Sequence, residues 1–478
     1  MSLEDIRNER MRKFEILKEK EIEPYPISLS RDFAISELLD NFPKLSKRKK
    51  PFFAVGRIMA IRSHGGSIFF DINDGSGRMQ AYIKKDDVGE EQFSLFTETI
   101  DIGDFVELKG VLFKTKKKEK TIKVSQWKII AKSLRPLPGQ WYGLQDVEER
   151  FRKRYLDLLM NEGIKEKFLL RSKIISETRS FLDREGFVEV ETPMLQHLAG
   201  GALAEPFKTH HNALDIDLYL RVAPELSLKK LLIGGFDKIY EMGKSFRNEG
   251  IDATHNPEFT MIEIYQAYQD AGNLRAFMEK LIKNLAKKAG KNKEINKKFA
   301  VVPYFDMLKK FTLIINPEKA SREDWALRAK QLGIVVENFE TKEKIMDNIF
   351  KKICRPKIIQ PTFVINYPTG SSPLAKRKKG DRELIDRFQL VIEGMEIANG
   401  FSELNDPIDQ KERFAEQDKA REKGEKEISP SDKDYLEAME YGMPPASGLG
   451  IGIDRLVMLL TNTHNIREVI LFPTLRPK

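Results

Sequence analysis

Two neighbouring segments in the middle of the chain restrict its possible folds more than any other feature. Residues 246–250 read Phe-Arg-Asn-Glu-Gly, and residues 255–260 read His-Asn-Pro-Glu-Phe-Thr. The pattern predicts a strand, a loop and a second strand. Since side chains alternate between the two faces of a strand, each strand is predicted to have one face that carries charged, aromatic or phenolic side chains. These faces carry Arg247, Glu249, Phe259, Glu263 and Tyr265. Ile262 and Ile264 point the other way and are predicted to be buried.

The chemistry of these faces suits an amino acid and a nucleotide. An arginine can form a pair of hydrogen bonds with a phosphate or a carboxylate, an aromatic ring can stack on a base, and carboxylates can bind an ammonium group. The alternative is a solvated sheet face with an ordinary ion pair. The two segments alone leave both interpretations open.

Two further segments favour the ligand-binding interpretation. Residues 185–193 read Glu-Gly-Phe-Val-Glu-Val-Glu-Thr-Pro, and residues 448–456 read Gly-Leu-Gly-Ile-Gly-Ile-Asp-Arg-Leu. In chain order, the three sets resemble motifs 1, 2 and 3 of class II aminoacyl-tRNA synthetases. From its N-terminal helix to its last residues, the chain resembles the lysyl-tRNA synthetases of the bacterial class II type.

The resemblance implies an α+β protein with an OB-type β-barrel followed by an antiparallel catalytic sheet and flanking helices. It implies ATP-dependent ligation of L-lysine to the 3′ end of tRNA(Lys) through lysyl-adenylate. It also implies Mg²⁺ as cofactor (one to three ions), a homodimer and a cytoplasmic location. The alternatives are an aspartyl- or asparaginyl-tRNA synthetase, a lysine-transferring protein modifier, which lacks the barrel, and an inactive nucleic-acid-binding paralogue.

The positions that match the family's ATP-binding residues come from motifs 2 and 3 and from residues 387–406. They are Arg247, Glu249, His255, Phe259, Glu396 and Arg455. By resemblance, Phe259 and Arg455 pack on the two faces of adenine, and His255 binds the polyphosphate side. Arg247 and Arg455 are the predicted catalytic residues, because they neutralise charge on the phosphates during the reaction.

Lysine selection is expected to depend on buried carboxylates, because an ammonium group leaves water only beside anions. By resemblance, Glu263, Tyr265 and Glu403 read the side-chain ammonium. The complete predicted lysine set is Gly201, Glu225, Arg247, Glu249, Glu263, Tyr265, Asn399, Phe401 and Glu403. Within it, Glu225 and the backbone of Gly201 meet the α-amino group.

Residues 387–406 are predicted to supply the magnesium ligands. A two-residue turn at Glu393 and Gly394 predicts a hairpin that pairs Leu390 with Ile397 and Val391 with Glu396. Gln389 and Glu396 then become diagonal neighbours on one face. Magnesium prefers carboxylates together with substrate phosphate oxygens. The predicted ligands are therefore Glu396, Gln389 and Glu403, although many relatives carry glutamate at position 389 and an amide oxygen coordinates more weakly.

Patterning divides the chain into segments. Residues 1–50 are predicted as a helical extension, 51–135 as an OB-fold anticodon-binding domain, 136–145 as a linker, and 146–478 as the catalytic domain with a helical insertion at about 272–355. Short β runs with polar turns predict the barrel. By resemblance, the anticodon is read by Arg57, Phe69, Gln80 and Glu119. Of the adjacent Phe69 and Phe70, only one is expected to point outward.

Composition supports a folded, water-soluble chain, and its lysine clusters predict either solvated loops or a surface for a polyanionic partner. The 478 residues include 32 % charged residues and carry a formal net charge of +9, with lysines clustered at residues 47–50, 114–120 and 376–379. The chain lacks an apolar run long enough for a membrane span, so no membrane association is expected. Its one cysteine, Cys354, rules out an intrachain disulfide and a cysteine-built zinc site.

Overall fold

The computed structural model describes residues 2–138, 144–198, 200–201, 204–291, 295–422 and 431–477. The chain divides into two units, Met1–Gln145 and Asp146–Lys478. Half of the predicted linker, residues 139–143, lies outside the described residues. None of the described helices is long and apolar enough to cross a membrane.

The first unit is built around a closed five-stranded barrel in the order β1-β2-β3-β5-β4, which confirms the predicted OB-type fold. Its strands are β1 (Phe52–His64), β2 (Ser67–Asn73), β3 (Arg78–Lys84), β4 (Phe105–Lys114) and β5 (Lys120–Ala131). Its helices are α1 (Leu3–Glu19), α2 (Ile35–Asp40), α3 (Phe42–Leu45), α4 (Lys85–Val88) and α5 (Glu90–Thr99).

Helix α1 is fixed to the barrel by a buried arginine. A capping box between Ser2 and Asp5 begins the helix. The Arg10 guanidinium then donates to the carbonyl oxygens of Ile102, Ser133 and Arg135 at 2.8–3.0 Å. The extension is therefore part of the barrel unit.

The second unit contains a large sheet and a small one. Its strands are β6 (Val188–Glu189), β7 (Leu195–Gln196), β8 (Lys208–His211), β9 (Ile216–Leu220), β10 (Lys238–Phe246), β11 (Glu258–Ala267), β12 (Ala300–Pro303), β13 (Thr362–Pro368), β14 (Arg377–Lys378), β15 (Asp381–Ile392), β16 (Met395–Ser402) and β17 (Ala446–Gly452). The large sheet has the order β12-β13-β15-β16-β17-β11-β10-β6, with β14 beside β15, and the small sheet has the order β7-β9-β8. The large sheet is antiparallel from β13 to β10 and has parallel pairs at both edges. This confirms the predicted antiparallel catalytic sheet.

Helices cover the large sheet. They are α6 (Val147–Arg152), α7 (Arg154–Met160), α8 (Ile164–Arg184), α9 (Glu225–Ile233), α10 (Ala271–Lys288), α11 (Tyr304–Thr312), α12 (Arg322–Gln331), α13 (Lys342–Ile349), α14 (Pro407–Glu422), α15 (Lys433–Glu440) and α16 (Ile453–Thr461). A main core packs α8, α10 and α16 on one sheet face, where Ile262 and Ile264 are fully buried as predicted. The opposite face of β11 is thereby left for polar side chains.

The segment at 272–355 is not wholly helical. Helices α11 to α13 share a second core in which Trp325 is fully buried. Between α10 and α11, strand β12 pairs in parallel with β13 at the edge of the large sheet. The sequence-based prediction of a helical insertion missed this strand, which at four residues is too short to show a clear period.

Candidate active site

A cavity of about 340 Å³ opens on the sheet face opposite the main core. This is the size range of small-molecule sites. Most of the predicted site residues line it: Gly201, Glu225, Arg247, Glu249, His255, Phe259, Glu263, Tyr265, Glu396, Asn399, Phe401 and Arg455. The fold thus brings together residues that span most of the second unit's sequence.

Strand β17 makes space for the cavity by carrying glycine where the neighbouring strands carry large side chains. Gly450 stands opposite Glu263 on β11, and Gly448 stands opposite Tyr265. A Cβ atom at Gly448 would overlap both Glu403 and the Tyr265 ring. The close approach of these two side chains therefore requires glycine at position 448.

Three carboxylates, those of Glu225, Glu263 and Glu403, form a carboxylate cluster at one end of the cavity. Glu225 and Glu263 line the cavity, whereas the predicted lysine-binding residue Glu403 is buried and is not part of the lining. Tyr265 donates its hydroxyl to Glu263 Oε2 at 3.0 Å. Lys229 Nζ lies 2.6 Å from Glu225 Oε1 and 2.6 Å from Glu403 Oε2. Beyond this ion pair, the Glu403 oxygens accept no hydrogen bond of good geometry from the described residues. A buried carboxylate that accepts too few hydrogen bonds gains stability when a second cation binds beside it.

Lys229 was not identified from the sequence. It lies one turn after Glu225 on α9, which places the two on one helix face. Burial alone would lower its pKa, but Glu225 and Glu403 raise the pKa above its ordinary range, so Lys229 stays charged. Burial, together with Glu225, raises the pKa values of Glu263 and Glu403 well above those of ordinary carboxylates.

The other end of the cavity carries guanidinium groups. The Arg247 guanidinium lies 5.1 Å from the centre of the Phe259 ring. Its Nε atom is buried, and no described residue accepts from it. Burial lowers the pKa of Arg247, and the nearby Glu249 and Glu396 oppose that shift. Arg247 and Glu249 do not lie on a strand as predicted, because β10 ends at Phe246.

Arg455 reaches the same end from the start of α16. It contacts His255 Nε2 at 2.8 Å, and its Nη1 donates to the backbone oxygen of Glu396 at 3.3 Å. The preceding Asp454 accepts from the Thr260 amide at 2.7 Å and from Arg171 at 2.6 Å. Arg171, on α8, was also not identified from the sequence, and it connects motif 3 to motif 2.

The predicted magnesium ligands are not free to act together. The hairpin pairs Val391 with Glu396 as predicted, but a bulge pairs Leu390 with Ala398 instead of Ile397. Gln389 is buried, and its Oε1 accepts from the Tyr367 hydroxyl at 2.9 Å. Glu396 Oε2 lies 3.4 Å from Arg355 Nη1, and Glu403 belongs to the carboxylate cluster. Among the described residues, no group of three or more His, Cys, Asp or Glu side chains is arranged to hold a metal ion.

The barrel carries a separate candidate interface. Phe69 is half-buried on the outside and Phe70 is fully buried, which matches the expectation that one of them points outward. Across the strands, Phe69 pairs with Arg62 on one side and with Tyr82 on the other, and the Phe69 and Tyr82 rings are 4.6 Å apart. Arg62 and Tyr82 were not identified from the sequence.

The other predicted anticodon residues are more scattered. Gln80 is buried and accepts from the Thr121 hydroxyl at 2.9 Å. Glu119 is exposed in the turn between β4 and β5. Arg57 stacks on Phe105 and donates to the Gly103 carbonyl, so the structure does not bring it to Phe69.

Comparisons with known proteins agree with this geometry. Residues 146–476 match the family described as tRNA synthetases class II (D, K and N), and residues 54–130 match an OB-fold nucleic acid binding domain. A lysine–tRNA ligase of Carboxydothermus hydrogenoformans is 49 % identical over 98 % of this chain and 97 % of that protein. The lysine–tRNA ligase of Pelotomaculum thermopropionicum is 48 % identical over 100 % of this chain and 96 % of that protein. The lysine–tRNA ligase of Moorella thermoacetica is 46 % identical over 99 % of this chain and 98 % of that protein. The chain belongs to the class II tRNA synthetases of the D, K and N family.

Proposed function

We propose that this enzyme joins L-lysine to the 3′ end of tRNA(Lys) in an ATP-dependent reaction through lysyl-adenylate. One observation supports the proposal: Glu225 and Glu403 both pair with the single ammonium of Lys229, and the carboxylate of Glu263 lies near enough to feel its charge. When fully ionised, the three carboxylates and the one ammonium leave two negative charges. Free lysine brings two ammonium groups, so its binding neutralises the cluster.

The orientation of lysine follows from the two ends of the cavity. Glu263 and Glu403 would hold the side-chain ammonium, with Asn399 and Phe401 beside its methylenes. Glu225 would hold the α-ammonium close to Gly201, where a Cβ would lie only 3.1 Å from that of Glu225. Arg247 would bind the carboxylate, since its buried Nε lacks an acceptor in the described structure.

In the first step, an oxygen of the lysine carboxylate attacks the α-phosphorus of ATP, and pyrophosphate leaves. No protein nucleophile or base is needed, because a carboxylate is already deprotonated. Arg247 and Arg455 would position the reacting groups and neutralise charge, with Phe259 under the adenine and His255 and Glu249 at the motif 2 loop. In the second step, a hydroxyl of the terminal adenosine of tRNA attacks the adenylate carbonyl, and AMP leaves.

The barrel would bind the anticodon of tRNA(Lys) through Phe69, with Gln80, Glu119 and Arg57 as further predicted contacts. Exposed aromatic rings beside basic side chains suit unstacked bases. We further propose a cytoplasmic homodimer. The exposed Val188, Met194 and Leu195 in and after motif 1 support the dimer, because these apolar side chains are 45–51 % exposed in the single chain. Magnesium is proposed to arrive on the ATP phosphates.

ATP–pyrophosphate exchange with lysine, aspartate and asparagine tests the proposal. Only lysine should support exchange, because the carboxylate cluster repels an acidic side chain and leaves an amide side chain with too few partners. Aspartate- or asparagine-dependent exchange would identify one of the sister synthetases instead. No exchange with any amino acid would favour the inactive paralogue, and exchange without tRNA charging would favour the protein modifier.

A further inference from the structure

Arg355 is a charged residue beside the nucleotide end of the cavity that the reaction described above does not use. It begins a short 3₁₀ turn, Arg355–Lys357. Its Nη1 lies 3.4 Å from Glu396 Oε2, and the two side chains are only 21 % and 23 % exposed. Its Nε is buried and donates to none of the described residues. This is a partly shielded ion pair with unused donor capacity.

Glu396 is held from two sides. Arg355 faces its carboxylate, while Arg455 donates to its backbone oxygen at 3.3 Å. Both guanidinium groups are permanently charged at any physiological pH. Both fixed cations, Arg355 and Arg455, would therefore repel a divalent ion at the Glu396 carboxylate.

Gln389 is a poor ligand for a metal ion at Glu396. It shares a sheet face with Glu396, but it is neutral and only 3 % exposed. Its Oε1 is already an acceptor for Tyr367, whose ring lies 4.5 Å from the Arg387 guanidinium. Magnesium demands near-octahedral oxygen ligands and loses water reluctantly. One paired carboxylate and one occupied amide oxygen do not fit a protein-held magnesium ion.

We propose that in this chain the Arg355 guanidinium takes the place of a protein-held magnesium ion at Glu396, so that magnesium enters the site only on the phosphates of ATP. The inference rests on the proposed function, since it assumes that ATP binds beside Glu396 and Arg455. Arg355 is a positioning residue here: it neutralises and orients Glu396. Unlike a bound metal ion, the guanidinium group cannot dissociate from the protein.

Counting bound metal tests the proposal without relying on activity. Manganese binding is measured by electron paramagnetic resonance in the presence of lysine and α,β-methylene-ATP, which does not react. The wild-type protein should bind one Mn²⁺ per active site, as the nucleotide complex. The double variant Arg355→Met with Gln389→Glu should bind one more, because it removes the fixed cation and restores a second carboxylate.

Lys352→Met with Gln389→Glu is the matched control. Lys352 is exposed on the same segment, so the control removes one positive charge without touching Glu396. It should keep the wild-type manganese count. Thermal unfolding of each variant verifies that the fold is retained.

Two outcomes would overturn the proposal: a second nucleotide-dependent manganese ion in the wild-type protein, or an unchanged count in a folded Arg355→Met, Gln389→Glu variant. Lysine-dependent pyrophosphate exchange by the wild-type protein is measured separately. Its absence would count against the proposed function and leaves the metal count as an independent result.

Discussion

At the scale of single residues, the buried charges of the carboxylate cluster are the main basis for the proposed selection of lysine. Glu263 and Glu403 are buried, each at most 4 % exposed, and their described partners are Tyr265 and Lys229. Lys229 supplies one positive charge, which stabilises the buried carboxylates when no lysine is bound. One ammonium does not balance three ionised carboxylates. We expect the preference for lysine, which carries two ammonium groups, to follow from this incomplete neutralisation.

Removing either carboxylate should impair lysine use. In Glu263→Gln or Glu403→Gln the substrate ammonium loses a buried partner, which costs roughly 3–5 kcal/mol. Since about 1.4 kcal/mol is tenfold, kcat/KM for lysine in pyrophosphate exchange should fall by about two to three orders of magnitude. The KM for ATP should change little. Glu383→Gln, at an exposed position of β15, is the control and should behave as wild type. A loss of less than tenfold in both pocket variants would exclude these residues from the side-chain pocket.

Lysine binding should also release a proton. Burial and the other carboxylates raise the pKa of Glu263 and Glu403 from 4.5 to about 8, so at pH 7 the empty cluster retains a proton. The arriving ammonium favours the ionised form, and the proton leaves. Affinity should therefore rise with pH, by up to about tenfold per unit between pH 6 and pH 8. Calorimetry in buffers of different ionisation enthalpy counts the protons. A dissociation constant that does not change over this range would show that the empty cluster is fully ionised.

At the scale of helices and strands, alternation explains why much of the site was predictable. Ile262 and Ile264 are buried, so Phe259, Glu263 and Tyr265 must share the other face of β11. The turn at Glu393 and Gly394, both with positive φ, likewise gives the predicted pairing of Val391 with Glu396. These features depend only on neighbours in sequence.

The missed features depend on contacts between distant segments. Lys229 looks like a surface lysine in a Leu-Lys-Lys-Leu run, and only the approach of Glu403 makes it internal. The bulge that pairs Leu390 with Ala398 breaks the hairpin register, and no glycine or proline marks it in the sequence. Arg355 reaches Glu396 from a turn 41 residues earlier. No local periodicity encodes such contacts.

On the barrel, β2 and β3 present a testable aromatic row. Phe69→Ala removes the outer ring that pairs with Tyr82, and base stacking is worth about 1–3 kcal/mol. The KM for tRNA in aminoacylation should rise about 5- to 150-fold. Pyrophosphate exchange should not change, because that reaction needs no tRNA. Phe53→Ala, which truncates another half-buried ring on β1, serves as the control and should leave both reactions intact. An equal loss of exchange in Phe69→Ala would mean that Phe69 is structural.

At the scale of the whole molecule, the net charge of +9 should make tRNA binding sensitive to salt. Each neutralised phosphate releases counterions, so about four contacts would weaken binding by about two orders of magnitude between 50 and 200 mM salt. Lysine-dependent exchange at saturating ATP should change far less, because the carboxylate cluster is buried and poorly screened.

The turn between β4 and β5 should contribute to this effect, because residues 114–120 are basic and lie at its exposed end. Replacing Lys116, Lys117 and Lys118 with glutamine should reduce the slope of log affinity against log salt by up to about three. Replacing Lys309, Lys310 and Lys319, which are exposed in the second unit, changes the net charge equally. If both triple variants flatten the slope to the same extent, the effect comes from net charge and not from this turn. A flatter slope only in the first variant would assign the turn to the tRNA interface, where the polyanionic partner inferred from the lysine clusters meets the aromatic row of the barrel.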